Sequence, residues 1–273
     1  MKWESLHHPD WCPTVIRRRV AEQTLDLLAL SFEAMTTRGR SVLMGSSYPS
    51  QTAYHAAVYR LRKAGLVAYR RTGGQMPELQ LTTEGESRVS PACRRRPPWP
   101  RTWSGRWNLL AYDIPEKSRL YRNVLRAFLK KMRMGCLQKS VWVSAQDIRP
   151  EFDDLARAGG VDEFAYLFEA RTVLGRRAEN VVETAWKMSR LRERQKGYLS
   201  VYQENLIRAE SAKCSPEELH ALAHEELAAY VTIMESDPYL PRPLWPTGYL
   251  GERAWLFHRE FGLRLALLLS TLA

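Results

Sequence analysis

The stretch from Arg106 to Ala145, RWNLLAYDIPEKSRLYRNVLRAFLKKMRMGCLQKSVWVSA, decides the fold of this chain. Its apolar residues change from strand spacing to helix spacing and back, and the same alternation continues to residue 170. The pattern predicts a strand over 107–114, a helix over 118–134, a strand over 137–143, a helix over 150–158 and a strand over 163–170. This β-α-β-α-β order predicts a ferredoxin-like sheet.

The helix of that stretch is predicted to be amphipathic, with one apolar face and one strongly basic face. We expect the apolar face to pack inside, and it comprises Leu120, Tyr121, Val124, Leu125, Phe128, Leu129 and Met132. The remaining surface carries Arg119, Arg122, Arg126, Lys130, Lys131 and Arg133.

Positive charge is concentrated in the first third of the chain, which has 273 residues and a net charge of +11. Residues 1–104 contain 16 Lys and Arg against 8 Asp and Glu, residues 105–175 contain 12 against 9, and residues 176–273 contain 13 against 13. A basic region followed by a neutral one predicts that a polyanion binds the N-terminal third.

Composition favours a folded protein, because 45% of the residues are hydrophobic, and the lack of a signal-peptide or membrane-span pattern predicts that it is cytoplasmic. The four cysteines are isolated, with no Cys-x-x-Cys spacing, so neither a zinc finger nor a disulfide framework is indicated. The polar N-terminus lacks the apolar core of a signal peptide. The apolar run 263–273 is about half the length of a membrane span, and we expect it to end a buried helix.

The expected fold class is α+β with three parts. A Pro- and Arg-rich linker separates the first two, because PACRRRPPWP is unsuited to a helix or a central strand. The predicted parts are a winged helix-turn-helix at 15–90, the linker at 91–104, a ferredoxin-like dimerisation domain at 105–175 and a mostly helical effector or interface domain at 176–273.

Residues 50–65, SQTAYHAAVYRLRKAG, predict a DNA-recognition helix. Ser50 is a suitable N-cap, and Gly65 stands where a left-handed residue ends a helix. The residues LVAYRR and MPELQLTTEG, on either side of a glycine turn, predict a β-hairpin. Helix and hairpin in this order are typical of a winged helix-turn-helix, whose second helix enters the major groove. The buried face should contain Tyr54, Ala57, Val58 and Leu61.

The opposite face of this helix and the arginines of the hairpin are the candidate DNA contacts. Gln51, Thr52 and His55 are suited to read bases. Arg62, Arg70 and Arg71 are suited to bind phosphates. The complete candidate set is Ser50, Gln51, Thr52, His55, Tyr59, Arg62, Arg70 and Arg71. The alternative is a solvated helix face on a domain that binds no DNA.

Two resemblances to known families extend this reading. AYDIP, a helix containing Arg122, and Gly135 followed by LQKSVWV resemble the second Cas protein of CRISPR systems, a ferredoxin-like dimer that in some members is a metal-dependent nuclease. The order of domains and the tail DPYLPRPLWPTGYLGERAWLF are similar to the PaaX family of regulators. That similarity implies a dimeric DNA-binding repressor of catabolic genes, released in the best-known members by an aryl-CoA thioester.

Three side chains raise the question of catalysis or metal binding. Asp113 matches the position of the aspartate in the nuclease relatives, where two copies across a dimer share a divalent cation. We expect a structural role instead, because an Asp before Pro115 is a common turn residue and one carboxylate per chain makes a poor metal site. His220 and His224 have the i, i+4 spacing of metal ligands, but Ala228 stands where HExxH needs its second histidine. A polar helix face is the favoured interpretation.

The sequence therefore predicts a homodimeric repressor that binds operator DNA, with no cofactor and no membrane. A metal-dependent nuclease and a CRISPR-associated adaptor are the alternatives. The aromatic residues of the C-terminal part are predicted either to line an effector pocket or to form a helical core.

Overall fold

The computed structural model describes Trp3 and residues 51–70, 78–89, 97–115, 119–159, 164–172 and 175–272. This part is an α+β structure with a two-stranded and a four-stranded antiparallel sheet, which confirms the predicted class. The chain forms two compact units, one from residues 99–193 and 236–249, and the other from residues 1–98, 194–235 and 250–273. The range 176–273, predicted as one helical domain, therefore contributes to both units.

The unit that contains residues 1–98 begins, in its described part, with a helix and a hairpin. In chain order its elements are α1 (Gln51–Lys63), β1 (Val67–Arg70), β2 (Glu78–Leu81) and α2 (Thr83–Arg88). The strands pair antiparallel, with Val67 opposite Leu81 and Arg70 opposite Glu78. The predicted strand MPELQLTTEG ends at Leu81, because Thr82 caps the short helix α2 instead of extending the sheet.

The central unit has the ferredoxin-like order β-α-β-β-α-β. Its elements are β3 (Trp107–Tyr112), α3 (Arg119–Lys131), β4 (Gly135–Gln138), β5 (Val141–Ser144), α4 (Arg149–Gly159) and β6 (Ala165–Ala170). The strand order is β4-β5-β3-β6, and each neighbouring pair is antiparallel. The prediction of one strand over 137–143 was wrong, since the chain reverses at Lys139 and Ser140 and forms a hairpin there.

Alternate residues of β3 enter two different cores on the two faces of the sheet. Leu110 packs with Leu125, Phe128 and Phe152 of helices α3 and α4. Trp107 packs on the opposite face in a core that also contains Val143, Ala145, Val181, Val182, Ala185, Met188, Leu191, Leu240 and Leu244. The second face is therefore covered by residues that lie beyond the predicted ferredoxin-like range.

Helix α5 (Ala178–Trp186) supplies much of this second core and lies very close to β4. A Cβ atom at Gly135 would come within 2.7 Å of Ala185 and of the Trp186 ring. Glycine at position 135 therefore permits the helix to pack on the strand.

The interior face predicted for α3 was too wide. Leu125, Phe128 and Leu129 are buried as expected, but Leu120 is 74% exposed. At about 100° per residue, Leu120 projects well away from the direction shared by the three buried side chains. Tyr121 and Val124 also remain partly exposed.

Three long helices dominate the rest of the chain: α6 (Met188–Ser211), α7 (Pro216–Glu235) and α8 (Gly251–Leu272). Ser215 caps α7, because its hydroxyl accepts from the Glu218 amide and the Glu218 side chain accepts from the Ser215 amide in return. None of the helices in the described ranges is long and apolar enough to cross a membrane.

Candidate nucleic-acid interface

Helix α1 ends as the sequence predicts, and its described side chains separate into a buried and an exposed face. Gly65 takes a positive φ of 71°, and the Leu66 amide donates to the Leu61 carbonyl at 2.9 Å. This pairing closes the helix in a Schellman motif. Val58 and Leu61 are buried, which confirms their predicted side of the helix.

The hairpin is fastened to the end of α1 through one threonine and one glycine. Thr82 donates from its hydroxyl to the Gly65 carbonyl at 2.7 Å and accepts from the Gly85 amide at 3.0 Å. A Cβ atom at Gly85 would lie 1.9 Å from the carbonyl oxygen of Leu66, so the backbones approach more closely than any side chain would permit. Helix and hairpin therefore have a fixed mutual geometry.

Three of the predicted DNA contacts share the exposed face of α1. His55, Tyr59 and Arg62 are all exposed, Tyr59 by 64%. The Arg62 guanidinium lies 5.0 Å from the centroid of the Tyr69 ring on β1, so this cation also links the helix to the hairpin.

The remaining predicted contacts are only partly described. Gln51 and Thr52 lie in the first turn of α1, and Arg70 lies at the end of β1, but only their backbone is described. Ser50 and Arg71 lie outside the described residues. Lys63 and Arg60 add two exposed cations to α1 that the prediction did not name as DNA contacts.

Asp113 follows β3 directly, with an exposed side chain and a backbone amide that donates to the Phe164 carbonyl at 2.9 Å. Within the described part of the chain, no group of three His, Cys, Asp or Glu side chains is placed to hold a metal ion. The residue thus extends the pairing between β3 and the chain before β6.

The histidine pair lies on α7, but the interpretation as a polar helix face was wrong for His220, which is buried. Burial lowers the pKa of His224, and the neighbouring His220 lowers that pKa further. Both effects favour the neutral imidazole.

A buried carboxylate that the prediction missed organises the loop after α7. Asp237 is 1% exposed and accepts from the Trp99 indole at 3.2 Å, the Tyr239 amide at 2.8 Å and the Tyr249 hydroxyl at 2.5 Å. The Arg133 guanidinium lies 4.2 Å from the centroid of the Tyr239 ring and donates to the Asp237 carbonyl. Burial raises the pKa of Asp237, and these donors and Arg133 act in the opposite direction.

A second buried carboxylate joins the three long helices. Glu226 of α7 accepts from the Tyr198 hydroxyl of α6, and both its oxygens lie within 3.0 Å of Nδ1 of His258 on α8. Tyr230 stacks on the His258 ring, with 3.8 Å between centroids. Burial raises the pKa of Tyr198 well above its usual value, and the charge of Glu226 raises it further, so the hydroxyl stays a donor.

The C-terminal aromatic residues mostly form cores. Tyr198, Tyr202, Tyr230 and Phe261 are almost completely buried, and their rings make edge or tilted contacts with one another and with Phe257. Of the two predicted roles, an effector pocket and a helical core, the described contacts correspond to the core.

The central unit belongs to a recognised class of domain. Residues 100–182, or 83 of the 273, match the family model described as the central Cas2-like domain of the PaaX protein. The chain thus contains a domain similar to the central domain of PaaX-type proteins, in the segment whose AYDIP and LQKSVWV motifs predicted a resemblance to the second Cas protein.

A solved structure supports the fold over most of the chain. The uncharacterized protein Rv0674 from Mycobacterium tuberculosis superposes with a TM-score of 0.53 at 19% identity, covering 89% of this chain and 95% of that chain. At this identity the likeness concerns the fold alone. No curated protein matches the chain.

Proposed function

We propose that this chain is a dimeric, cytoplasmic, sequence-specific DNA-binding regulator, and that it represses a catabolic operon. The observation that carries the proposal is the exposed face of α1, with His55, Tyr59 and Arg62, on a helix fastened to an antiparallel hairpin. A PaaX-type central domain in the same chain supports it.

In this proposal α1 enters the major groove and the hairpin lies along the phosphates as a wing. Gln51, Thr52 and His55 belong to the N-terminal half of α1, from which recognition helices reach base edges. The basic side chains at the end of the helix and on the hairpin bind phosphates, which position the protein without reading sequence. Two copies related by a two-fold axis require a roughly palindromic operator.

Release by an effector is the part of the proposal that rests on the resemblance to the PaaX family. An aryl-CoA thioester would lower operator affinity by binding one dimer geometry better than the other. Titration of the protein–operator complex with such a thioester, against free CoA, tests this point. Asp113 has no catalytic role in the proposal, so added Mg²⁺ should not produce DNA cleavage.

Affinity selection of sheared genomic duplex DNA, at near-physiological salt and without metal, tests DNA binding. We expect a few sites that share a palindrome. Uniform recovery, or none, would contradict sequence-specific regulation.

Two substitutions then test the assignment of α1 and the wing. Gln51→Ala should relax sequence preference and weaken the binding free energy for the preferred site by about 1–3 kcal/mol. Arg70→Ala should weaken binding to all duplexes alike and make the slope of log affinity against log salt shallower by about 1 for each protomer. Variants that both bind like the parent would refute the placement of helix and wing.

A further inference from the structure

The outward side of helix α3 in the central unit is strongly basic. The 13 residues of this helix, RLYRNVLRAFLKK, include five arginines and lysines and no acidic residue. Its apolar side is committed to the core beneath the sheet, through Leu125, Phe128 and Leu129. This packing leaves Arg126, Lys130 and Lys131 at the surface.

Two arginines at the ends of this region have structural partners. Arg122 donates to the Ile114 carbonyl at 2.8 Å, and Arg133, just beyond the helix, donates to the Asp237 carbonyl. Three other cations, Arg126, Lys130 and Lys131, are exposed. Among the described residues these three form no ion pair, so their charge is available to a partner.

The neighbouring helix α4 differs, although it covers the same face of the sheet. Arg157 pairs with Asp154 at 2.7 Å, and Arg149 pairs with Asp147 at 2.6 Å just before the helix. Exposed Glu151 and Asp153 add negative charge. Surface cations are commonly paired with nearby carboxylates in this way, whereas the sequence of α3 contains no Asp or Glu.

We propose that Arg126, Lys130 and Lys131 contact phosphates of the DNA to which the protein binds. The inference rests on the proposed DNA-binding function and adds a second contact surface, on the central unit. Arg126 and Lys130 are separated by about one helical turn, roughly 6 Å along the axis, and project to the same side. A helix face with several cations and no carboxylate attracts the phosphate backbone without reading base sequence.

The test compares two triple variants of equal net charge. The first is Arg126→Gln/Lys130→Gln/Lys131→Gln. The matched control replaces three exposed cations of the same unit that lie outside its helices, Lys139→Gln/Arg171→Gln/Arg176→Gln. Thermal unfolding of both variants should match that of the parent, because all six side chains are at the surface.

Operator affinity is measured by fluorescence anisotropy over a range of salt concentrations. The probe is a site recovered by genomic selection, extended on both sides by flanking duplex. For the α3 variant, the slope of log affinity against log salt should become shallower by about 2.7 for each protomer, or about 5.4 for the dimer, since each phosphate contact contributes about 0.9. The affinity deficit of the dimer should then shrink on the order of 1,000-fold between roughly 50 and 200 mM salt. The control should keep the slope of the parent, and neither variant should change which site is preferred.

Two results would overturn the inference. An unchanged slope for the α3 variant would mean that these cations face solvent or an acidic protein partner. An equal loss of operator affinity in both variants would mean that only the net charge of the protein matters, and not the position of these cations. In either case the parent protein still binds its preferred site. If the proposed function itself is wrong, the parent protein will show no preferred site.

Discussion

Two buried carboxylates, one in each compact unit, organise their surroundings by different chemistry. Asp237 is bound by an indole, a backbone amide and a phenol, all of which are neutral donors. Glu226 is bound by a phenol and by a histidine, whose charge depends on protonation. Both residues are at most 2% exposed, so neither carboxylate is solvated by bulk water.

The difference shows two ways to keep an acidic group in a protein interior. A buried charge must be paired or hydrogen-bonded, because its desolvation is otherwise very costly. Around Asp237 fixed dipoles serve this purpose, with Arg133 nearby. Around Glu226 an ionisable partner serves it. The first arrangement should tolerate a neutral replacement better than the second.

The largest expected effect comes from deleting either carboxylate. Asp237→Ala and Glu226→Ala should each lower the free energy of unfolding by about 3–5 kcal/mol, because several buried donors lose their acceptor. Urea denaturation measures the loss. Asp113→Ala is the control, since that side chain is exposed. If either buried deletion costs no more than the control, the carboxylate concerned does not organise its surroundings.

Removing one phenol from each site should cost less. Tyr198→Phe and Tyr249→Phe each delete a hydroxyl that donates to a carboxylate, and hydrogen bonds to charged groups contribute about 1.5–3 kcal/mol. Burial raises the pKa of both phenols well above the usual range, so both are donors at neutral pH. Denaturant midpoints for the two variants check the prediction, and Tyr166→Phe, at an exposed site, serves as the reference.

Amide replacements distinguish the two sites directly. Asp237→Asn keeps an acceptor for Trp99 and Tyr239, and the Tyr249 hydroxyl can rotate to accept from the new amide group. Glu226→Gln instead weakens the attraction for a histidine that is buried beside it. We expect Glu226→Gln to cost about 1 kcal/mol more than Asp237→Asn in the same denaturation assay. Equal costs, or the reverse order, would remove the distinction.

The smallest expected effect concerns the pH dependence of stability, which should have opposite signs for Asp237 and Asp147. The pKa of Asp237 is raised above 3.8 by burial, so the folded state binds this proton more readily than the unfolded chain. Its contribution to stability therefore increases as pH falls from the raised pKa towards 3.8. The exposed Asp147 behaves oppositely, because hydrogen bonds from Arg149 lower its pKa to about 2. Its contribution exists above pH 3.8 and is lost as pH falls to about 2.

Unfolding free energies of the parent minus each Asn variant, measured at several pH values below 7, reveal both signs. The difference for Asp237→Asn should increase on acidification, and that for Asp147→Asn should decrease. Two curves of the same sign would mean that burial does not govern the pKa of Asp237.

Local pattern predicted the elements of this fold well, because helix and strand spacing depends on neighbouring residues. Gly65 as a left-handed helix end was predicted from sequence and confirmed. The hairpin between β4 and β5 was missed, since Lys139 and Ser140 lack the glycine or asparagine that usually signals a tight turn. Leu120 was wrongly predicted to be buried, because it is apolar but its angular position on α3 points away from the buried face.

The buried carboxylates were beyond sequence reasoning for a different reason. Asp237 belongs to the quoted DPYLP motif, but its partner Trp99 is 138 residues away in the chain. Glu226 is separated from His258 by 32 residues. A motif indicates that a segment is special, whereas only the folded arrangement tells which distant side chain it binds. For the proposed DNA contacts, amphipathic spacing sufficed to place His55, Tyr59 and Arg62 on the exposed face of α1.

The division of the chain has a consequence for its synthesis on the ribosome. The central unit needs residues 236–249 to cover the Trp107 side of its sheet, and the other unit needs residues 250–273. Domains usually fold in order as they leave the ribosome. Here the central unit is complete only after residues 236–249 have been made, and the other unit only after residues 250–273. Deletion of residues 236–273 should therefore harm both units, and a fragment that stops at residue 182 would leave the Trp107 core without Ala185, Met188, Leu191, Leu240 and Leu244.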